Sequence, residues 1–351
     1  MCFDYGQKPL HGDLCPIICS AKTGVESVSC VRSQRAGGAR GSKSIFTAKL
    51  RAGGGTTVMF KSFNLLGPLD QEILSWAQNE KNVASVPSPV SDPIARDTSL
   101  LLNFSNIHFS CILHLQLCFF RQPRLNRSDP LMHDNSYLLI RYYADRDIFP
   151  QLVGYCGQFY VTEHLHSALD SEVIDDSSTM ESWAKRVHLA VELLQLIELI
   201  DQENLLMCQV TPSMFGLTAS GKVKIMDLDL TLPKALVNSL TSSGKSCSSD
   251  YDCSFYDCKS TCSLEANKCI FPVINTNLQI VCEKIFLGWS MPGRLLVPGL
   301  LMSVHTPMSL ASLLRQCAHY SHSQEIAAHI ATRLSDTLAE IDNTLEQHRT
   351  P

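Results

Sequence analysis

Cysteine placement constrains this chain more than any other feature. Fifteen cysteines occur in 351 residues, and they are unevenly spread. Cys15, Cys19 and Cys30 crowd the start. Cys247, Cys253, Cys258, Cys262 and Cys269 fall within one short stretch, with Cys282 soon after. That density points to disulfides and an oxidising compartment. Zinc is disfavoured, because no Cys-x-x-Cys pair occurs in the block and Cys258-x₃-Cys262 is marginal. A calcium loop starting at Asp250 fails as well, since Phe255 stands where glycine is needed and Thr261 where glutamate is needed. Spacing does not give connectivity, and an odd total leaves at least one thiol free or paired outside the chain.

The composition, 45% hydrophobic and 18% charged, is that of a chain with a real core. The net charge of −5 is spread along the sequence. No basic block suggests nucleic acid or a membrane surface as partner. Two sequons, Asn103-Phe104-Ser105 and Asn126-Arg127-Ser128, agree with a glycoprotein of the secretory pathway. No signal peptide follows Met1. The best apolar run, 108–120, is interrupted by His114 and Gln116 and is shorter than the ~20 residues that span a bilayer.

The periodicity along the chain orders the elements. Residues 1–35 read as a small cysteine-bearing cap, and 36–43 as a flexible joint. The stretch 45–63 reads as strand, turn at Gly53-Gly54-Gly55, strand. Residues 68–79 suit a helix, with Pro68 in its first turn and Asp70 and Glu72 at its positive end. Residues 86–130 have no clean period and read as an insertion. Residues 148–165 give two strands around Gly157-Gln158. Residues 182–204 give a long helix with a broad apolar face: Trp183, Val187, Val191, Leu193, Leu194, Leu196, Ile197 and Ile200. Short strands at 214–218 and 222–226 then lead into Asp227-Leu228-Asp229. An amphipathic helix from about 324 closes the chain, with its stripe at Ile326, Ile330, Leu334, Leu338, Ile341 and Leu345.

Hairpin and helix, two strands, a buried helix, then a loop and a second hairpin ending in aspartate is the element order of a protein kinase domain. The expected fold class is α+β: a β-rich N-lobe over 36–165 and a helical C-lobe over 166–351. The cysteine-rich block at 247–282 then lies in the activation-segment region.

Three stretches narrow this further. "GDLCPIIC" (12–19), "GQFYVTEHL" (157–165) and "CSSDYDCSFYDCKSTCSLEANKC" (247–269), the last followed by "NTNLQIVCEKIFLGW" (275–289), resemble the divergent protein kinase domain family. Its members are cysteine-rich, kinase-like, single-pass type II proteins of the endoplasmic reticulum. The likeness is good over 131–290, weaker over 1–85 and absent over 86–130. It implies a lumenal domain with an N-terminal membrane anchor, expected just before this chain begins.

Kinase chemistry also assigns roles. The resemblance implies nucleotide-binding roles for Lys61 on the third strand, for Glu72 (with Glu80 second) on the following helix, and for Glu163 in the hinge stretch. Asp227 and Asp229 fit the family's Asp-x-Asp pattern and are a reasonable pair for a hard cation. The catalytic loop departs from the pattern. Active-looking members resemble Cys-Asp-Ile-Lys-Pro-Glu-Asn-Phe, whereas this chain has Cys208-Gln209-Val210-Thr211-Pro212-Ser213-Met214-Phe215. Gln209 stands at the base position, Thr211 at the lysine position and Met214 at the metal-binding asparagine. A Gln amide accepts no proton near neutral pH, and a thioether is a poor Mg²⁺ ligand.

The expectation is a secretory-pathway pseudokinase with weak binding of ATP and Mg²⁺ or Mn²⁺, or a scaffold for a lumenal protein. The alternative is an active atypical kinase with substrate-assisted proton transfer. A third reading, a defective gene product, is motivated by residues 86–130.

Overall fold

The computed structural model describes residues 12–20, 22, 24–30, 45–51, 54–62, 131, 134–167, 169, 179–242, 245–270, 272–291, 294–319 and 324–347. The helix expected over 68–79, the insertion over 86–130, both sequons, Glu72 and Glu80 lie outside the described residues. The chain forms two compact units, Met1–Leu165 and His166–Pro351.

The first unit is built on one antiparallel sheet. A short helix α1 (Cys15–Ile18) precedes β1 (Val25–Cys30), β2 (Ile45–Leu50) and β3 (Thr56–Ser62). Helix α2 (Asn135–Tyr142), β4 (Leu152–Cys156) and β5 (Phe159–Glu163) follow. The sheet order is β1-β2-β3-β5-β4, so β3 is central. The β2–β3 hairpin pairs Ile45 with Lys61 through to Leu50 with Thr56. Its turn holds Gly54 and Gly55 at φ +75° and +87°, a region that side chains other than glycine's rarely adopt.

Both faces of β3 are covered. Phe60 stacks on Phe46 with ring centroids 4.8 Å apart, and Phe159 meets Phe46 edge-on. Val58, Phe60, Val161 and Cys156 share that core with Leu14, Cys15 and Ile18 from α1. Helix α2, for which the sequence carried no expectation, brings a fully buried Tyr137 to the rings of Tyr155 and Tyr160. Asp134 caps this helix by accepting from the Tyr137 amide at 2.9 Å.

Residues 12–19 clasp β4. Leu14 N–H donates to the Tyr155 carbonyl at 3.1 Å, Asp13 Oδ1 accepts from the Tyr155 amide at 2.9 Å, and Cys15 is disulfide-bonded to Cys156. At Gly12 the chain passes so close that a Cβ would sit 2.7 Å from Cys156 Cα. Residues expected as a separate cap thus contribute α1 and the edge strand β1 to this sheet unit.

The second unit is mainly helical. After β6 (His166–Ser167), helix α3 (Met180–Gln202) is its spine, capped by Thr179 accepting from the Ser182 amide at 3.1 Å. Trp183, Val187, Leu193, Leu196, Ile197 and Ile200 are buried, while Val191 and Leu194 are half-buried. Arg186, on the same face, is fully buried too. Its Nε donates to the Leu300 carbonyl at 2.6 Å, and its Nη2 to Gly299 and Met302 at 2.7 and 3.2 Å. Burial pulls this guanidinium below its ordinary pKa.

Next come β7 (Leu205–Met207), β8 (Phe215–Leu217), β9 (Val223–Ile225), β10 (Thr231–Pro233) and α4 (Lys234–Ser242). Strand β7 pairs with β10, and β8 lies between β6 and β9. Two small hairpins follow, β11 (Ser254–Phe255) with β12 (Cys258–Lys259), and β13 (Thr261–Ser263) with β14 (Lys268–Ile270). Helix α5 (Asn277–Val281) runs into a wide turn at 282–286, then a hairpin of β15 (Gly288–Met291) and β16 (Arg294–Pro298). Helices α6 (Met308–His319) and α7 (Gln324–Gln347) end the unit, α7 packing along α3. Ile330, Leu334 and Leu338 of its stripe are buried, Ile341 and Leu345 are half-buried, and Ile326 is exposed. Among the described residues, no helix is long and apolar enough to cross a membrane.

The Cys15–Cys156 bond closes a loop across 141 residues of sequence. Replacing both cysteines by serine should lower stability by about 2–4 kcal/mol. Denaturant unfolding without reductant measures this, and an unchanged midpoint would contradict the clasp.

Candidate functional site

The loop that carries the chemistry in a kinase-like chain runs here from Cys208 to Met214, and its backbone is held from several directions. Helix α3 ends where Asn204 turns left-handed at φ +53°, a conformation that asparagine tolerates better than most residues. Strand β7 then enters the core. Asn277, fully buried at the start of α5, organises this entry. Its Oδ1 accepts from the Met207 amide at 2.8 Å, and its Nδ2 donates to the Leu205 carbonyl at 2.8 Å and to Asp201 Oδ1 at 2.6 Å. The Cys208 amide donates to the Leu230 carbonyl at 2.8 Å, and the Met226 amide to the Met214 carbonyl at 2.7 Å. The loop is therefore bracketed by the segment that carries Asp227 and Asp229. Pro212–Met214 form a single 3₁₀ turn, with Met214 buried.

The cysteine block grips the same loop. Cys208 is disulfide-bonded to Cys258. The Asp257 amide donates to the Cys208 carbonyl at 2.8 Å, and the Val210 amide donates to Asp257 Oδ2 at 2.8 Å. Gln209 is thus flanked on both sides by residues fastened to the block. Asp257 is fixed in turn: its carbonyl accepts from Asn275 Nδ2 at 2.7 Å, and Asn275 Oδ1 accepts from the Lys259 amide at 2.8 Å. Lys284 Nζ lies 3.8 Å from Asp257 Oδ1 and 3.0 Å from Glu283 Oε1. Desolvation raises the Asp257 pKa, against the Val210 hydrogen bond and the charges of Lys284 and Lys259.

Inside the block, Cys247–Cys262 and Cys253–Cys269 cross-link the second hairpin to the segment before it. Asp252 Oδ2 accepts from the Ser248 and Ser249 amides at 2.9 and 3.0 Å, and these bonds hold its pKa low. Asp250 Oδ1 accepts from the Cys262 amide at 2.7 Å. The sulfurs of Cys247, Cys253 and Cys262 converge, but as disulfides they are not the thiolates that zinc requires. A further bond in this unit, Cys282–Cys317, joins the turn after α5 to α6. Cys19 is disulfide-bonded as well, and the side chain of Cys30 lies outside the described residues. Cys156, Cys208 and Cys317, the partners that complete these pairs, were not singled out as disulfide candidates from sequence.

The remaining site residues are placed as follows. Lys61 lies in β3, only 5% exposed, paired across to Ile45 and Tyr160. Glu163 ends β5, and its Oε1 accepts from the Gln151 amide at 2.8 Å. Helix α2, the described helix immediately before β4 in the chain, carries no glutamate. Asp227 and Asp229 follow β9, the Asp229 amide donating to Asp227 Oδ1 at 3.2 Å. Two carboxylates one residue apart are oxygen donors suited to Mg²⁺ or Mn²⁺. Met214, which the resemblance sets at the asparagine position, has a thioether and no oxygen in its side chain.

Comparison with known proteins adds two findings. Residues 130–320, more than half of the chain, match the family described as the protein-kinase domain of FAM69. The chain is also similar to a solved structure titled "ROP18 kinase domain in complex with AMP-PNP and sucrose", with TM-score 0.43 and 11% identity, covering 90% of this chain and 81% of that one.

Opening the Cys208–Cys258 bond with serine at both positions should release the loop while the block keeps its two internal disulfides. Amide hydrogen exchange at Val210 should then accelerate at least about tenfold. Unchanged exchange would mean that the bond does not restrain the loop.

Proposed function

From the premise that the chain belongs to the family of the protein-kinase domain of FAM69, we infer that it is a secretory-pathway kinase-like domain with impaired phosphoryl transfer. Residual nucleotide binding or the scaffolding of a lumenal protein is what remains to it. One observation carries this reading: the catalytic loop keeps its register and its backbone ties, yet presents Gln209, Thr211 and Met214 where base, lysine and metal-binding asparagine belong.

Loss of the base alone removes ~10²–10⁴-fold in rate. Replacing a lysine by Thr211 also removes positive charge from the transferring phosphoryl group, which raises the barrier further. Lys61, buried in the central strand β3, stands where the resemblance gives a lysine the α/β-phosphates to hold. Asp227 and Asp229 would hold the metal. Bound ATP with Mg²⁺ or Mn²⁺ would supply the transferable group and part of the neutralising charge.

Disulfides throughout the described residues support residence in an oxidising compartment. On the family resemblance that compartment is the endoplasmic reticulum lumen, with the domain tethered through an N-terminal anchor as a type II protein.

ATP with Mg²⁺ or Mn²⁺ should raise the thermal midpoint of the secreted chain, by ~2.7 kcal/mol of added stability at a hundredfold excess over Kd, and Lys61→Ala should abolish that shift. The combined change Gln209→Asp, Thr211→Lys, Met214→Asn should raise transfer of the γ-phosphate at least about 100-fold. A wild-type rate equal to that of the triple variant would overturn the impaired reading. No shift at saturating nucleotide would remove nucleotide binding from it.

A further inference from the structure

We propose that Asp257, brought to the catalytic loop by the cysteine block, accepts the proton in whatever phosphoryl transfer this domain retains, with Lys284 as its positioning partner. The proposal rests on the reading above that a nucleotide still binds.

Reach comes first. Asp257 Oδ2 is 2.8 Å from the Val210 nitrogen. A peptide nitrogen is about 2.4 Å from the preceding Cα. That carboxylate oxygen therefore lies within about 5 Å of Gln209 Cα, so the carboxylate stands beside the base position of the loop. No residue of 208–215 is acidic, so the carboxylate that meets this loop comes from outside it.

The group is also held in place. The Cys208–Cys258 bond fixes the adjoining residue, and the Asp257 main chain bonds to Cys208 and to Asn275. The two oxygens are used differently. Oδ2 is spent on the Val210 amide. Oδ1 faces Lys284 at 3.8 Å, beyond hydrogen-bond length, and makes no hydrogen bond among the described residues. A hydroxyl could donate to it. Its side chain is 20% exposed, so it is shielded but reachable. Partial desolvation moves its pKa upward, in the direction a base acting near neutral pH needs.

The charges facing Asp257 come from the turn after α5 and from β12. Lys284 and Lys259 favour its ionised form, and Glu283 opposes it. Glu283 is itself 3.0 Å from Lys284 and 3.6 Å from Lys259. Carboxylate and lysine thus stand beside a loop whose own base and lysine positions are Gln209 and Thr211.

The step balances as ordinary phosphoryl transfer. The acceptor's hydroxyl proton passes to Asp257 Oδ1, and its oxygen forms the bond to the γ-phosphorus. The bond from that phosphorus to the β,γ-bridging oxygen breaks, its electron pair leaving on ADP.

The test uses the whole secreted chain, γ-labelled ATP and Mn²⁺, following label into the chain's own hydroxyls and into inorganic phosphate, beside the thermal shift with ATP. Asp257→Asn keeps an acceptor for the Val210 amide, so it should fold and keep the shift. It should lose about 100-fold or more in rate. Adding Gln209→Asp to that variant should restore transfer. Lys284→Met should move the acid limb of the pH–rate profile to higher pH, because removing the cation raises the pKa of Asp257. A wild-type rate in Asp257→Asn overturns the proposal and leaves nucleotide binding standing. Wild-type transfer no faster than in Lys61→Ala, with the shift intact, overturns it equally. Loss of the thermal shift in the wild-type chain overturns the reading on which it rests.

Discussion

A single bond between Cys208 and Cys258 joins positions separated by 50 residues, and much of the second unit is arranged around it. On one side is the loop leaving the buried helix α3. On the other is a segment that, in the kinase order of elements, belongs to the activation region. In an ordinary kinase those two stretches meet through reversible contacts, which is how segment ordering switches activity. Here the contact is covalent, and the Asp257 main chain and carboxylate reinforce it on either side of Gln209. The block is also cross-linked within itself by Cys247–Cys262 and Cys253–Cys269. A segment held in this way has little freedom to switch, so the loop is held in one shape by its disulfide.

That rigidity gives the altered loop residues their meaning. A loop that had lost its base and its metal ligand by drift would also be free to lose its geometry. This one keeps its ties to Leu230 and Met226, and its entry at Met207 keeps its tie to Asn277. On the reading proposed above, a loop kept in shape with Gln209, Thr211 and Met214 at those positions suits either a protein-binding role or a transfer reaction served by a carboxylate from elsewhere. Both are continuous with membership of the FAM69 kinase-domain family, and they differ only in whether Asp257 meets an acceptor hydroxyl.

The elements carrying strong periodicity were legible in the sequence. The β2–β3 hairpin, the strand pair around Gly157, helix α3 and helix α7 fall within a few residues of their expected spans. Those patterns arise from burial on one face, which local sequence records directly. What depends on distant partners was not legible. β1 is an edge strand only because β2 lies beside it, and Cys15 commits to Cys156 from far along the chain. Arg186 sits on the apolar face of α3, where a charge normally marks solvent, because the carbonyls at 299–302 receive it. The same reason hides Asp257, the residue proposed above as the base. In sequence Asp257 is one more polar residue between cysteines, and only the fold brings it to Val210. Nothing in the residues around Cys208 signals that it is bonded to Cys258.

The most direct test is the disulfide map of the secreted chain, digested without reduction and read by mass spectrometry. A cross-linked peptide joining Cys208 to Cys258, beside separate Cys247–Cys262 and Cys253–Cys269 pairs, is the predicted result. Cys208 recovered as a free thiol, or Cys258 paired within the block, would contradict the account at its centre.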